Sequence, residues 1–319
     1  MSLSRPRAAL TVDGRRLTSA QAALVRLHAW LSLDGTHDRV ELMVWPSSKL
    51  ASVRSGAKLG VALGEDGQEA DVWSGEVTAV AAHADGVVIE GLAATVALSR
   101  RRLSQTYLDQ SVADIVRDLA GSAVVDQVEG DTNLSAYVVD DRRSVWSHLL
   151  DLAALVGADV GASAAGGLRF TPARTGSANA KLRYRADVVS WSGGNAPEPD
   201  APGVAAYGAA SESGADQWHW ILRSPTASGG AGGPLLVVPA LRTRDAADAM
   251  SRALASRAQR AGVRGRLRTP GRGGARPGDL VEVSDLPSGD LGTLRVLAVE
   301  HVLDARTGFV TTLTVEGAQ

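Results

Sequence analysis

Four Asp-Gly pairs punctuate the opening third of the chain: Asp13-Gly14, Asp34-Gly35, Asp66-Gly67 and Asp85-Gly86. Asp-Gly readily adopts the left-handed backbone of a tight hairpin turn, and each pair separates stretches able to form strands. Between the turns apolar residues alternate with others, as in Val25, Leu27, Ala29 and Leu31, then Val40, Leu42 and Val44. A period of two places each set on one sheet face. The runs Val77-Thr78-Ala79-Val80 and Val87-Val88-Ile89 continue the trait. Such a series predicts an antiparallel module, a small barrel or sandwich.

The pattern changes after Arg100-Arg101-Arg102. Val112, Ile115, Val116 and Leu119 form a helical stripe, with Ser111 as its cap, Asp114 in the first turn and Gly121 as its stop. A second helix is expected from Ser144, with Val145, Leu149, Leu152, Ala153 and Val156 on one face and Gly157 at the end. Short strands are expected at 136–139 and 167–170, making a compact α+β piece over about 104–180. The segment 190–202 is rich in Gly, Pro, Ser and Asn and reads as a linker or long loop. Strands are expected at 217–223 and 235–238, around a glycine loop at 227–234. Residues 244–261 are Ala-rich without Gly or Pro and predict a helix stopped by Gly262. The last sixty or so residues return to β, with turns near Pro287-Ser288-Gly289 and Arg306-Thr307-Gly308.

The two ends of the chain resemble each other. Ser55-Gly56-Ala57-Lys58-Leu59, Val77-Thr78-Ala79-Val80 and Ile89-Glu90-Gly91 have counterparts in Arg276-Pro277-Gly278-Asp279-Leu280-Val281, Val296-Leu297-Ala298-Val299 and Val315-Glu316-Gly317. Two readings are open, an internal duplication and two independent hairpins.

Composition excludes several classes of function. Lys+Arg (33) nearly balances Asp+Glu (35), so no whole-chain field draws the protein to nucleic acid or an acidic membrane, and neither nucleic-acid binding nor membrane insertion is expected. No cysteine is present, which rules out disulfides, thiolate metal sites and cysteine nucleophiles. The first ten residues lack the apolar run of a signal peptide, and no stretch approaches a transmembrane span, so assembly in the cytoplasm is expected.

The chain also offers little chemistry. His28, His37, His83, His148, His219 and His301 are scattered, none in a His-Glu-x-x-His pair, and are expected at strand ends or the surface. Ser163 misses a Gly-x-Ser-x-Gly elbow because Ala165 replaces the last glycine, and reads as loop. The stretch 271–276 lacks the Lys-Ser/Thr pair and following helix of a phosphate loop, and reads as a glycine hinge before a strand. Arg264, Arg266 and Arg268 alternate along a strand. They make either a basic face for a partner or tube lumen, or a solvated edge protected by charge. Trp218 and Trp220 share a strand face, with Trp191 earlier; such aromatics serve a sugar platform or a buried core or interface. Asp140-Asp141 read as turn and helix N-terminal charge. No catalytic, cofactor-binding or metal-binding residue is assigned, no cofactor is expected, and the chain is not expected to be an enzyme.

The segment Tyr107 to Ala120, the segment Asp141 to Ala153 followed by Gly157 and Gly167-Leu168-Arg169-Phe170, the helix at 246–261, Arg276-Pro277-Gly278-Asp279-Leu280-Val281 and Val299-Glu300-His301-Val302-Leu303-Asp304 follow one another in a familiar order. Together they resemble the phage late control protein D family, which includes the tail hubs of contractile phages and the N-terminal half of the type VI secretion spike protein VgrG. The resemblance implies a mainly β fold with an α+β insertion: a first tube-like β-barrel at 1–103, the insertion at 104–180, and a second tube-like barrel at 181–319 carrying a helix at about 244–261. It further implies a homotrimeric baseplate hub that adapts a sixfold tail tube above to a threefold spike below, among other baseplate proteins, in a phage virion or phage-like injection particle. VgrG-type chains continue into a further barrel and a needle. This sequence stops at Gln319, so a separate spike polypeptide is expected. A tail-associated carbohydrate-binding or cell-wall hydrolase protein is the alternative, resting on Trp218 and Trp220, and a VgrG-like effector carrier is a third reading.

Overall fold

A computed structural model describes residues 5–65, 67–121, 125–205, 234–287 and 289–318. The strand and loop expected at 217–233, with Trp218, His219 and Trp220, fall outside these, as do Asp66 and Ser288.

The opening third folds as seven strands: β1 (Pro6–Val12), β2 (Arg15–Thr18), β3 (Leu24–Ser32), β4 (Arg39–Val44), β5 (Lys58–Glu65), β6 (Ala70–His83) and β7 (Gly86–Leu92). Asp13 and Gly14 both take positive φ, +46° and +82°, and close a two-residue hairpin between β1 and β2. Asp34-Gly35 belongs to a longer loop, with the Asp34 carboxylate accepting from the Thr36 N–H at 3.0 Å and its hydroxyl at 2.7 Å. The Asp85-Gly86 turn lies one residue earlier than expected. His83 pairs with Gly86, so Ala84-Asp85 is the loop. Gly86 opens β7, where a Cβ would stand 2.6 Å from the Val44 carbonyl oxygen.

The middle of the chain supplies α1 (Val96–Arg100), β8 (Gln105–Ser111), α2 (Val112–Ala120), β9 (Val125–Val128), β10 (Asn133–Val139), α3 (Val145–Val156), β11 (Ala158–Ala162) and β12 (Leu168–Pro172). Both main helices start and stop where local rules place them. The Ser111 hydroxyl accepts from the Asp114 N–H and the Ser144 hydroxyl from the Ser147 N–H, while Gly121 and Gly157 close the ends with positive φ. Their apolar stripes meet the β strands in a core that includes Ile115, Leu119, Leu149, Leu152 and Phe170.

The remainder forms β13 (Ala180–Arg183), β14 (Ser190–Asn195), β15 (Gly203–Ala205), β16 (Leu235–Val237), α4 (Arg244–Ala261), β17 (Val263–Pro270), β18 (Leu280–Ser284), β19 (Thr293–Asp304) and β20 (Gly308–Gly317). The start of the expected linker is therefore a strand: Ser190–Asn195 pairs with β17 along its whole length. As a consequence β17 has neighbours on both sides, β14 and β20, and is not the edge strand that its arginines suggested.

One 13-stranded sheet runs β14-β17-β20-β19-β3-β4-β7-β6-β5-β1-β2, with β18 and β13 branching from β19. The two ends of the chain join inside it through β3 and β19, paired antiparallel from Ser32↔Ala298 to Arg26↔Asp304. A single apolar cluster under the sheet draws on both ends, including Leu27, Leu42, Val61, Trp73, Leu267, Val296 and Leu313.

The same five-strand unit occurs twice, in the same chain order. β3, β4, β5, β6 and β7 correspond to β14, β17, β18, β19 and β20, because β5-β6-β7-β4-β3 and β18-β19-β20-β17-β14 are paired in the same sequence. Details agree. Gly56 (φ +89°) donates to the Val77 carbonyl at 2.8 Å, and Gly278 (φ +92°) donates to that of Val296 at 2.7 Å. Val77 donates back to Ala57 at 2.9 Å, and Val296 to Asp279 at 2.8 Å. Both long strands carry a register shift at the next residue, between Val77 and Ala79 and between Val296 and Ala298. Independent hairpins have no reason to share these irregularities, so the duplication reading stands. The Glu-Gly ends do not correspond, however. Val77 pairs with Gly91 and Val296 with Val315, which sets Glu90 against Thr314 and displaces the second Glu-Gly by two residues.

Candidate assembly surface

Eight strands, β14-β17-β20-β19-β3-β4-β7-β6, form a continuous run with one face on the apolar core and the other exposed. On the exposed face Arg268, Thr312, Glu300, Trp30 and Arg39 lie in one register row across five strands. The charges there are interlocked. The Arg266 Nη2 donates to Glu300 Oε2 at 3.2 Å, Glu300 Oε1 lies 2.6 Å from His28 Nε2, and Arg26 donates to Glu41 at 2.5 Å. The Arg39 guanidinium sits 4.1 Å above the Trp30 ring. The three β17 arginines are exposed on this face, as the alternation predicts. Burial pulls His28 below its ordinary value and outweighs the attraction of Glu300.

The run ends on two edges without a hydrogen-bonded neighbour among the described residues. β14 pairs only with β17, and the outer half of β6, from Ala79 to His83, pairs only with β7. The register shift at Thr78 flips the alternation there, so Ala79 is exposed where a continued pattern would bury it, and Val80 is 37% exposed.

The insertion is fastened to this sheet by polar contacts between groups far apart in sequence. Arg295 on β19, 3% exposed, donates to Glu316 on β20 at 2.7 Å and to Asp159 on β11. The Arg260 Nε at the end of α4 donates to the same Glu316 oxygen at 3.2 Å. Arg169 on β12 donates to the Pro277 carbonyl at 2.9 Å, and Trp146 Nε1 on α3 donates to that of Gly35 at 2.8 Å. Leu150 occupies the space beside Gly35 that a Cβ would restrict, at 3.3 Å. No sequence motif announces these ties, since each partner lies on a different element.

The histidines divide. His83 is exposed, and His28 and His37 are part-buried, the latter contacting Thr95 and Ser99 hydroxyls at 3.0 and 2.6 Å. His148 and His301 depart from the surface expectation. His148 is packed within the insertion, its Nε2 3.1 Å from the Asp140 carbonyl. His301 is fully buried in β19, its Nδ1 3.0 Å from the Thr311 hydroxyl and its Nε2 without a partner among the described residues. Burial, reinforced by Arg276, pushes its imidazole down to about 3. The folded protein thus keeps His301 neutral while the unfolded chain takes up a proton below about pH 6.5, so its contribution to stability is lost as pH falls from about 6.5 towards 3. Asp38 acts in the opposite sense, because burial raises its carboxyl to about 7 and folding is favoured as pH falls through that value. His301→Gln removes the first effect alone. The stability advantage of wild type over the variant is expected to shrink steadily from pH 6.5 to 4.5 in chemical denaturation, and a constant difference would contradict the assignment.

The remaining candidates are structural. Trp191 packs on the core and lies over Gly265, where a Cβ would stand 2.1 Å from its ring. Asp140 caps a turn by accepting from the Arg142 N–H at 3.0 Å, and Ser163 does the same for Gly167 at 3.2 Å. The 271–276 stretch leads to β18 rather than a helix, and Gly271 and Gly273 fit against Phe309 and the Leu63 carbonyl. Among the described residues no group of His, Asp or Glu side chains could hold a metal ion, and no helix is long and apolar enough to cross a membrane.

No protein-family model and no curated protein sequence matches the chain. Solved structures do match over nearly its whole length. The tail protein from Neisseria meningitidis MC58 superposes with a TM-score of 0.73 at 17% identity, covering 98% of this chain and 96% of its own. The 43 kDa tail protein of prophage MuSo2 from Shewanella oneidensis gives 0.68 at 13%, covering 97% of each chain. The chain has a phage tail protein fold. The tail-protein fold extends to the E. coli c3393 protein, a component of the type VI secretion system, with a TM-score of 0.62 at 13% identity over 97% of this chain and 77% of that one. These likenesses bear out a mainly β, tail-tube-like architecture with a small helical insertion.

Proposed function

We propose that the protein is a structural baseplate hub of a contractile phage tail or phage-like injection system, of the late control protein D type. In this reading it is a homotrimer that joins a sixfold tail tube to a threefold spike. The observation that carries it is the five-strand unit repeated within one chain. Three copies carry six similar units, which can face a sixfold ring, while the insertion and α4 occur only once per copy and keep the assembly threefold. The division into tube-like units at 1–103 and 181–319 around an insertion at 104–180 belongs to the same proposal. The exposed face of the eight-strand run, with its arginines and interlocked acids, would line the tube lumen. A separate spike protein, the tube protein and other baseplate proteins are the partners. Assembly in the bacterial cytoplasm and incorporation into the particle follow, and the role calls for no catalytic step.

The test is the absolute mass of the purified protein, alone and mixed with the protein of the neighbouring spike gene. A trimer, either alone or only with the spike, is expected. A monomer in both samples refutes the hub.

A further inference from the structure

The two repeat units meet inside one chain at a defined seam, which pairs the first strand of one unit with the fourth strand of the other: β3 with β19. The matching strands at the outer ends of the run are β14 and β6, and β14 and the Ala79 to His83 half of β6 are unpaired on their outer sides among the described residues. If copies of the chain repeat the internal relation, these two edges must meet.

Chain pairing fixes the register. Leu27 and Trp191 are equivalent, since each lies opposite the central leucine of its neighbour, Leu42 on β4 and Leu267 on β17. By the same counting Leu31 corresponds to Asn195 and His28 to Ser192. On the other strand Val80 corresponds to Val299 and His83 to Val302, counted from the shared irregularity. Within the chain Leu31 lies opposite Val299 and His28 opposite Val302.

The chemistry of the edges agrees. The free outer strands β2, Arg15-Arg16-Leu17-Thr18, and β13, Ala180-Lys181-Leu182-Arg183, carry charges of the kind that discourage pairing with another chain. Ser190-Trp191-Ser192-Gly193-Gly194-Asn195 and Ala79-Val80-Ala81-Ala82-His83 contain no lysine, arginine, acid or proline. Val80, whose counterpart Val299 is buried, stands part-exposed for want of a neighbour.

We propose that Ser190–Asn195 of one copy pairs antiparallel with Ala79 to His83 of the next, with Asn195 opposite Val80, Gly194 opposite Ala81 and Ser192 opposite His83. The proposal rests on the hub reading and names the seam by which its copies join.

Because the chain has no cysteine, paired cysteines report the seam without background. Val80→Cys/Asn195→Cys and Ala81→Cys/Gly194→Cys test adjacent rungs, one hydrogen-bonded and one not, within disulfide reach. A Cβ at Gly194 meets nothing within 4 Å, so the substitution there is accommodated. Ala81→Cys/Ser190→Cys is the off-register control, four residues or about 13 Å away along the strand. Each member of a pair lies at an opposite end of the eight-strand run, so a disulfide joins two copies. Each full-length variant is oxidised in the presence of the spike protein, then read by mass and by non-reducing gel. Covalent oligomers from at least one on-register pair, reversed by reductant and absent from the control, are expected. An assembled protein that links only in the control, or in none, overturns the register while leaving the hub. A monomer throughout overturns both.

Discussion

Arg295→Met is expected to lower unfolding stability by about 3–5 kcal/mol, the usual result of removing one partner from a buried ionic network. The substitution leaves the Asp159 carboxylate without its guanidinium, and leaves Glu316, 6% exposed, with Arg260 alone. Asp159 then stays largely desolvated without that compensation, and Glu316 keeps only the weaker of its two guanidinium contacts. The loss should fall on the joint between the insertion and the sheet, because Arg295 bridges Asp159 on β11 and Glu316 on β20. Arg295→Met/Asp159→Leu removes the stranded charge and leaves Arg260 and Glu316 balanced, so it should recover most of the loss. Urea titrations of the three proteins decide the matter. A single variant within about 1 kcal/mol of wild type would show that the network is solvated and does not hold the joint.

Trp73→Ala should cost a similar amount, about 3–5 kcal/mol, for a different reason. The Trp73 ring is 2% exposed and lies in a cradle of backbone. A Cβ at either Gly75 or Gly91 would stand 2.6 Å from the ring, and one at Gly75 would also meet the Leu92 carbonyl at 2.2 Å. Walls made of hydrogen-bonded strands cannot collapse into the space that alanine leaves, so the cavity persists. Trp73→Phe should be much milder, because the indole Nε1 has no hydrogen-bond partner among the described residues and its removal breaks none there. The signature is a lower denaturation midpoint at unchanged slope. Equal losses for alanine and phenylalanine would point to an unseen partner of the indole instead.

Local rules made part of this fold readable in advance. Ser111 and Ser144 cap helices because the hydroxyl and the N–H three residues on are set by the helix itself, and the alternation in β3 and β4 needs only a sheet with one wet face. What failed depended on partners distant in the chain. Ser190–Asn195 has no apolar alternation and becomes a strand through its pairing with β17. Reading it as a loop made β17 look like an edge, so one error produced the other. The register shift after Val77 leaves no mark on composition, which is why the alternation read straight through Val77-Thr78-Ala79-Val80 breaks there. The tie between Arg295 and Asp159 joins residues far apart in the sequence and was invisible for the same reason. The surface itself was partly legible: the β17 arginines are exposed together as expected.

The first two strands of the repeat are joined differently in its two occurrences. In the first, residues 33–38 connect β3 to β4; in the second, residues 196–262 intervene between β14 and β17 and carry α4. A gene encoding one unit per polypeptide would have to repeat any such enlargement at every position of a ring. Fusion of two units in one reading frame relaxes that constraint, leaving one loop free to grow a helix while its twin stays short enough for Gly35 to receive Trp146.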